Sequence, residues 1–171
     1  MKLDITDLLS IEDLTEERQV ETELTCFRSK MGSFPILCKS PFVLSLWNQE
    51  NRRLVIRGET NLTLAIPCGR CLEEVPTEIH LVIDRTAAFG ESEEKDEEDE
   101  ILCGMELDVD KLIYDEILLE LPMKVLCRED CKGICTKCGA NLNNETCACD
   151  RTEPDPRMAA IWDVFNQFKE V

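Results

Sequence analysis

Six cysteines fall within 23 residues of this 171-residue chain, from Cys127 to Cys149, and they constrain what it can fold into more than any other feature. The segment reads Cys127-Arg-Glu-Asp-Cys131-Lys-Gly-Ile-Cys135-Thr-Lys-Cys138-Gly-Ala-Asn and continues to Cys147-Ala-Cys149; a separate pair, Cys68-Gly-Arg-Cys71, lies well upstream. Between Arg128 and Thr152 the apolar side chains are few, with Ile134, Ala140, Leu142 and Ala148 nearly all of them. Four such side chains, at ~1.5–3 kcal/mol for each large one fully buried, cannot hold a stretch whose backbone costs ~1–2 kcal/mol per ordered residue. The segment needs cross-links, either disulfides or a metal.

The chain start, Met1-Lys2-Leu3-Asp4-Ile5-Thr6-Asp7, has early acids and no apolar core of a secretory signal, so a cytosolic location with reduced thiols is expected. The eleven cysteines are an odd number, which also counts against a complete disulfide framework. Metal ligation therefore leads and disulfides come second. Structural zinc takes four thiolate or imidazole ligands in a tetrahedron, and Cys-x-x-Cys is its commonest half-site. Cys135-Thr-Lys-Cys138-Gly139 fits, because a glycine after the second cysteine permits the left-handed backbone that such a knuckle needs. Cys127, Cys131, Cys147 and Cys149 supply further ligands. Six thiols exceed the four one ion takes: either two serve other purposes, or Cys68 and Cys71 join to make eight, enough for two sites. The expected cofactor is structural Zn2+, one or two ions, worth ~10–16 kcal/mol on the apparent scale; without it the segment should be unfolded. Cys26, Cys38 and Cys103 read as ordinary, partly buried thiols.

The formal net charge is −17. Glu91 to Glu100 holds eight acids and one lysine, a composition expected to form a disordered loop near 90–101, and the rest of the chain still carries −10. Broad electrostatic binding to nucleic acid is disfavoured, since phosphate contacts need a basic face. The candidate RNA contacts are Arg52, Arg53, Arg57 and Arg70, within the one basic stretch that runs from Arg28 to Arg70. No run approaches the ~18 apolar residues of a membrane span.

From Pro41 to Ala88 the pattern is β. Phe42 to Trp47 is rich in strand formers, and Leu54-Val55-Ile56 leads through Gly58 to alternating Leu62, Leu64 and Ile66. Val75, Thr77, Ile79, Leu81 and Ile83 alternate in the same way, so the two long strands should form an antiparallel hairpin with Pro67-Cys68-Gly69-Arg70-Cys71 at its tip. The lone histidine, His80, reads as a surface residue. Residues from Asp108 to Leu121 read as a helix with an aspartate N-cap, stopped by Pro122. Near the end, Asp155 and Pro156 mark a helix start, and Met158, Ile161, Trp162, Phe165 and Phe168 form an apolar stripe. That stripe docks on the chain's own core or, with Ile161, Trp162, Phe165 and Phe168 as contacts, in a partner's groove.

Cys68-Gly-Arg-Cys71 looks superficially like a thiol redox motif, but a strand follows it where a helix N-terminus would be needed to activate the first thiol. No phosphate loop or serine nucleophile motif is present, and a single histidine leaves little scope for acid–base work. The chain reads as a non-enzyme with no small-molecule substrate.

These residues in this order, with Pro67-Cys68-Gly69-Arg70-Cys71-Leu72-Glu73, the acidic spacer, Leu119-Glu120-Leu121-Pro122, the block from Cys131 to Asn143 and Asp155-Pro156-Arg157, resemble the YceD family of large ribosomal RNA subunit accumulation proteins over about residues 36 to 168. The resemblance implies a role in ribosome biogenesis and no transferable catalytic residue. It makes a ribosome assembly intermediate or a ribosomal protein the expected partner, with large-subunit rRNA contact as the competing idea. The fold expected is α+β: an antiparallel sheet, barrel-like in one version, with a packed helix, a Cys-rich zinc knuckle and a C-terminal amphipathic helix. It divides into a β-rich core over 1–126, a metal-binding segment over 127–152 and the helix over 153–171. The alternatives are a general nucleic-acid-binding zinc protein and a thiol redox or metal-handling protein that uses Cys68 and Cys71.

Overall fold

The computed structural model describes residues 1–49, 52–89, 101–149 and 161. The acidic spacer and the expected C-terminal helix lie outside the described residues, apart from Ile161, which is helical and half exposed.

A long hairpin organises the molecule. Strand β6 (Arg53–Pro67) pairs along its whole length with β7 (Glu74–Ala88), in register from Arg53↔Ala88 to Pro67↔Glu74. Both strands alternate in burial through the middle of the hairpin, which is the period-2 pattern that the sequence displays. The opposite edge of β6 is shared. Its first half pairs with β5 (Phe42–Gln49), and residues 62–64 pair with β4 (Gly32–Lys39). Outside β5 lies β2 (Thr15–Val20), and outside β4 lies β3 (Cys26–Ser29). Gly58 stands next to this fork, where a β-carbon would lie 2.8 Å from the Val43 carbonyl oxygen, so only glycine lets the strands approach.

A small second sheet has the order β1 (Lys2–Asp4), β9 (Glu106–Asp108), β8 (Leu102–Cys103). Helix α1 (Thr6–Ser10) follows β1 and contributes Leu8 and Leu9 to the core. Helix α2 (Val109–Glu120) starts at Asp108, whose Oδ1 accepts hydrogen bonds from the Asp110 and Lys111 amides at 3.1 Å, an N-cap that satisfies two orphan donors. It packs on β7 through buried Leu112, Ile113 and Ile117, and Arg85 Nε donates to buried Glu116 at 2.6 Å. One apolar cluster joins Ile5, Phe27, Leu44, Ile56, Leu64, Leu81, Leu107 and Ile117.

The mixed α+β character holds, but the sheet does not close into a barrel. Among the described residues β7 pairs only with β6, and β2 and β3 are short strands on different halves of the forked edge, so no ladder joins the two margins. The N-terminal strands were not apparent beforehand: Thr15-Glu-Glu-Arg-Gln-Val20 is a polar edge strand, and Cys26–Ser29 is too short to show a period.

Candidate metal centres

The tip of the β6–β7 hairpin reaches the Cys-rich segment. Cys68, Cys71, Cys127 and Cys131 have their sulfurs within 4.8 Å of one another, and so do Cys135, Cys138, Cys147 and Cys149. The upstream pair thus does not stand apart from the C-terminal block. It completes one quartet with the first two cysteines of the block, and the last four make the other.

The first quartet is the inner one. Cys68, Cys71 and Cys131 are buried, and Cys127 is half-buried beside Val75 and Leu126. Its closest sulfur pairs are Cys71–Cys127 at 3.5 Å and Cys68–Cys131 at 3.9 Å. A zinc–thiolate tetrahedron with bonds of ~2.3 Å has edges of about 3.8 Å, so this spacing suits one ion. A four-iron cluster would set its thiolates farther apart, each on a different iron. In the outer quartet Cys135 is buried, Cys147 and Cys149 are half-buried, and Cys138 is exposed.

Both Cys-x-x-Cys turns have the same build. The amide of Leu72 donates to the Cys68 carbonyl at 3.0 Å, and that of Gly139 donates to the Cys135 carbonyl at 2.8 Å. The residue after the second cysteine is left-handed in each, with φ of 64° at Leu72 and 76° at Gly139. Glycine meets that requirement freely, whereas Leu72, largely exposed, holds a strained backbone.

Backbone amides inside each knuckle point at the first sulfur. The Cys71 amide, with help from those of Cys127 and Arg70, holds the Cys68 thiol down at about 6, and the Cys138 and Lys137 amides hold Cys135 at about 6. The Asn143 side-chain amide donates to Cys131 Sγ at 3.3 Å and lowers that thiol as well. The partners move the other way. Cys127 is pushed up to about 12 by hydrogen bonding to Cys71 and by burial, and Cys149 is pushed up to about 12 by Cys138 and by burial. At Cys71 the Glu73 amide favours the thiolate, but burial and the Cys68 and Cys131 sulfurs outweigh it and raise the thiol. Four thiolates this close repel one another, and only a cation at the centre lets all of them ionise together. The donor set therefore fits a thiophilic dication. The low Cys68 value does not make a redox centre by itself, since the sulfur is buried and β7 follows the pair.

Arg70 joins the two parts. Its Nη1 donates to the carbonyls of Cys131 at 2.9 Å and Glu129 at 3.2 Å, and its own carbonyl accepts from the Ile134 amide at 3.1 Å. Gly133, at φ 76°, permits the approach: a β-carbon there would lie 3.0 Å from the Arg70 carbonyl oxygen. Asn141 and Asn144 both donate to Glu73 Oε1, at 2.9 and 3.1 Å, and Gly69 donates to the Val125 carbonyl at 2.8 Å. Glu73 and the three asparagines went unnoticed as candidates; the signal available was only their nearness to cysteines.

The other candidate residues are scattered. Arg52 and Arg53 lie at the far end of the hairpin from Arg70, separated by up to roughly 45 Å of strand at ~3.3 Å per residue. Arg57 pairs with Asp84 at 3.4 Å on the exposed surface. Trp162, Phe165 and Phe168 lie outside the described residues. Cys26 is half-buried, 3.0 Å from the Ser33 hydroxyl, but Cys38 and Cys103 are exposed and not partly buried as expected. Cys38 follows the register irregularity of β4, and Cys103 ends a two-residue strand before the turn at Gly104. His80 is exposed and pairs with Asn61 Oδ1 at 2.7 Å. Among the described residues no helix is long and apolar enough to cross a membrane.

Residues 56–168, a span that contains both quartets, match the family described as large ribosomal RNA subunit accumulation protein YceD. A relative named large ribosomal RNA subunit accumulation protein YCED homolog 1, chloroplastic, from Arabidopsis thaliana, is 28% identical over 152 residues, covering 71% of this chain and 47% of its own. An uncharacterized protein of Mycobacterium tuberculosis is 34% identical over 111 residues, 60% of this chain and 53% of its own. YlbN of Bacillus subtilis is 27% identical over 109 residues, 63% of each chain. The chain spans about half the length of the first two relatives. No solved structure matches.

Proposed function

The chain belongs to the YceD family, and from that premise we propose that it is a non-enzymatic, cytoplasmic factor in the accumulation of large-subunit ribosomal RNA, with its Cys-rich segment held by two structural zinc ions. The observation that carries the ribosomal role is the family match over residues 56–168, together with the printed name of the Arabidopsis relative. The zinc reading is supported by the two thiol quartets, each with its sulfurs within 4.8 Å of one another, and by two sulfur pairs of the inner quartet at 3.5 and 3.9 Å. An ion at the inner quartet would be held by Cys68, Cys71, Cys127 and Cys131, and one at the outer quartet by Cys135, Cys138, Cys147 and Cys149. Zinc so held supplies cross-links rather than reactivity, since four thiolates leave no open position for substrate.

The partner is a ribosome assembly intermediate or one of its proteins. A net charge of −17 disfavours direct binding to a polyanion, and Arg70, engaged at the hairpin tip, is far from Arg52 and Arg53. Deleting the gene should lower large-subunit rRNA relative to small-subunit rRNA, with recovery on complementation; an unchanged ratio overturns the reading. A gel-shift on large-subunit RNA fragments across salt separates the modes of action. Strong salt-dependent binding would favour direct contact and the nucleic-acid-binding alternative, whereas absence of binding leaves action through protein. Elemental analysis should find two zinc ions in the purified protein and one in each of Cys71→Ser and Cys138→Ser.

A further inference from the structure

The two quartets differ in what would remain if their ion left. The inner quartet joins segments far apart in sequence, and its surroundings are dry and well bonded: three of its four cysteines are buried, and Arg70, Gly69 and Glu73 tie the hairpin tip to the chain between Val125 and Asn144. The outer quartet closes on itself within one short stretch. Its first knuckle is anchored by the Ile134–Asn141 bridge and by the Cys135 amide bonded to the Ala140 carbonyl at 2.8 Å. Its other arm, Cys147-Ala148-Cys149, lies beyond the asparagines that reach Glu73, and Ala148 between its cysteines is exposed. Cys138 in the same quartet is exposed. A metal-bound thiolate is protected by burial as well as by the ion, and of the eight clustered cysteines Cys138 alone is exposed.

We propose that the outer quartet is an oxidation-sensitive site, at which a peroxide converts Cys138 and Cys149 to a disulfide and releases the ion, while the inner quartet keeps its ion and its hold on the hairpin. This rests on the zinc reading above. The sulfur of the exposed residue Cys138 attacks one peroxide oxygen; the O–O bond breaks, hydroxide leaves and Cys138 becomes a sulfenic acid. The Cys149 thiolate, whose sulfur lies within 4.8 Å, attacks that sulfur and expels a second hydroxide. An S–S bond has formed, the peroxide has accepted two electrons, and the dication departs because two of its four thiolates are gone. The consequence is local. The arm carrying Cys147 is set free, whereas residues 131–144 stay anchored by the inner quartet, Arg70 and Glu73.

The test uses the full chain loaded with Zn2+ and challenged with hydrogen peroxide, with released zinc read by a chromogenic chelator. One ion should leave roughly tenfold faster than the other, in step with a disulfide between the Cys138 and Cys149 peptides. Hydrogen exchange should rise over 145–149 and stay unchanged over 68–71. Cys138→Ser should abolish the fast phase, and Cys103→Ser, which alters an exposed thiol elsewhere, should leave it intact. Loss of both ions at one rate, loss of the inner ion first, or a fast phase that survives Cys138→Ser overturns the proposal. The wild-type release order decides the matter even where that variant folds poorly. Protein that binds no zinc at all overturns the zinc reading with it, whereas two ions lost together overturns this proposal alone.

Discussion

The inner and outer quartets share a local design and differ in everything around it. In both, a Cys-x-x-Cys turn closes with an amide-to-carbonyl bond onto the first cysteine and a left-handed residue after the second. The inner one recruits its remaining sulfurs from a distant segment, with Cys71 and Cys127 56 residues apart, and is buried against the hairpin. The outer one finds all four within Cys135 to Cys149 and leaves Cys138 in solvent. The same chemistry thus does two jobs. With an ion in each, as proposed, the long-range cross-link would determine where the segment sits, and the short-range one only how its end is folded.

The sharpest way to break that comparison is to remove one sulfur from each. On the zinc reading, Cys71→Ser should abolish amide protection across residues 127–134, because the hairpin dock depends on the inner ion, whereas Cys147→Ser should affect residues near 145–149 alone. Hydrogen exchange read by mass spectrometry distinguishes the two; equal damage from both variants would erase the distinction. The next effect is at Arg70. Arg70→Ala removes two donations to backbone carbonyls and should cost about 1–3 kcal/mol of docking, seen as faster exchange over 129–134, while Arg57→Ala on the open surface should stay within about 0.5 kcal/mol of the parent. An Arg70→Ala protein with unaltered exchange would return that residue to the list of RNA contacts. The smallest effect sharpens the likeness of the knuckles. Leu72→Gly should stabilise the inner turn by roughly 1 kcal/mol and Gly139→Ala should destabilise the outer one by a similar amount, because both positions are left-handed. Urea unfolding midpoints of the zinc-loaded proteins would show opposite shifts.

Some of this was legible in the residues. The alternation of Leu62, Leu64 and Ile66, then Ile79, Leu81 and Ile83, on either side of a Pro-Cys-Gly-Arg-Cys turn specifies the hairpin, and Asp108 and Pro122 bracket α2. Those signals are local, set by a two-residue period and by capping chemistry. The N-terminal strands carried no such signal, since Glu16, Glu17 and Arg18 on an edge strand look like a loop until β5 is beside them. The open sheet was equally hidden, because whether margins meet depends on strand stagger and not on the pattern of any one strand. Arg70 looked like a surface cation on composition and is a hairpin-tip staple in three dimensions.

By itself the sequence determined that residues beyond Arg128 could not fold on apolar burial, because four modest side chains cannot offset the entropy of the backbone they would order. It also narrowed the remedy to cross-links through sulfur, a metal first and disulfides second, since clustered cysteines with two-residue spacing suit ligand pairs. Which cysteines stand together was decided only by the tertiary structure. Spacing along the chain allows Cys131 to side with Cys135 as readily as with Cys68. The long hairpin removes that freedom by carrying Cys68 and Cys71 to the segment, where Arg70 and Gly133 permit a close backbone approach, and eight sulfurs separate into two groups of four.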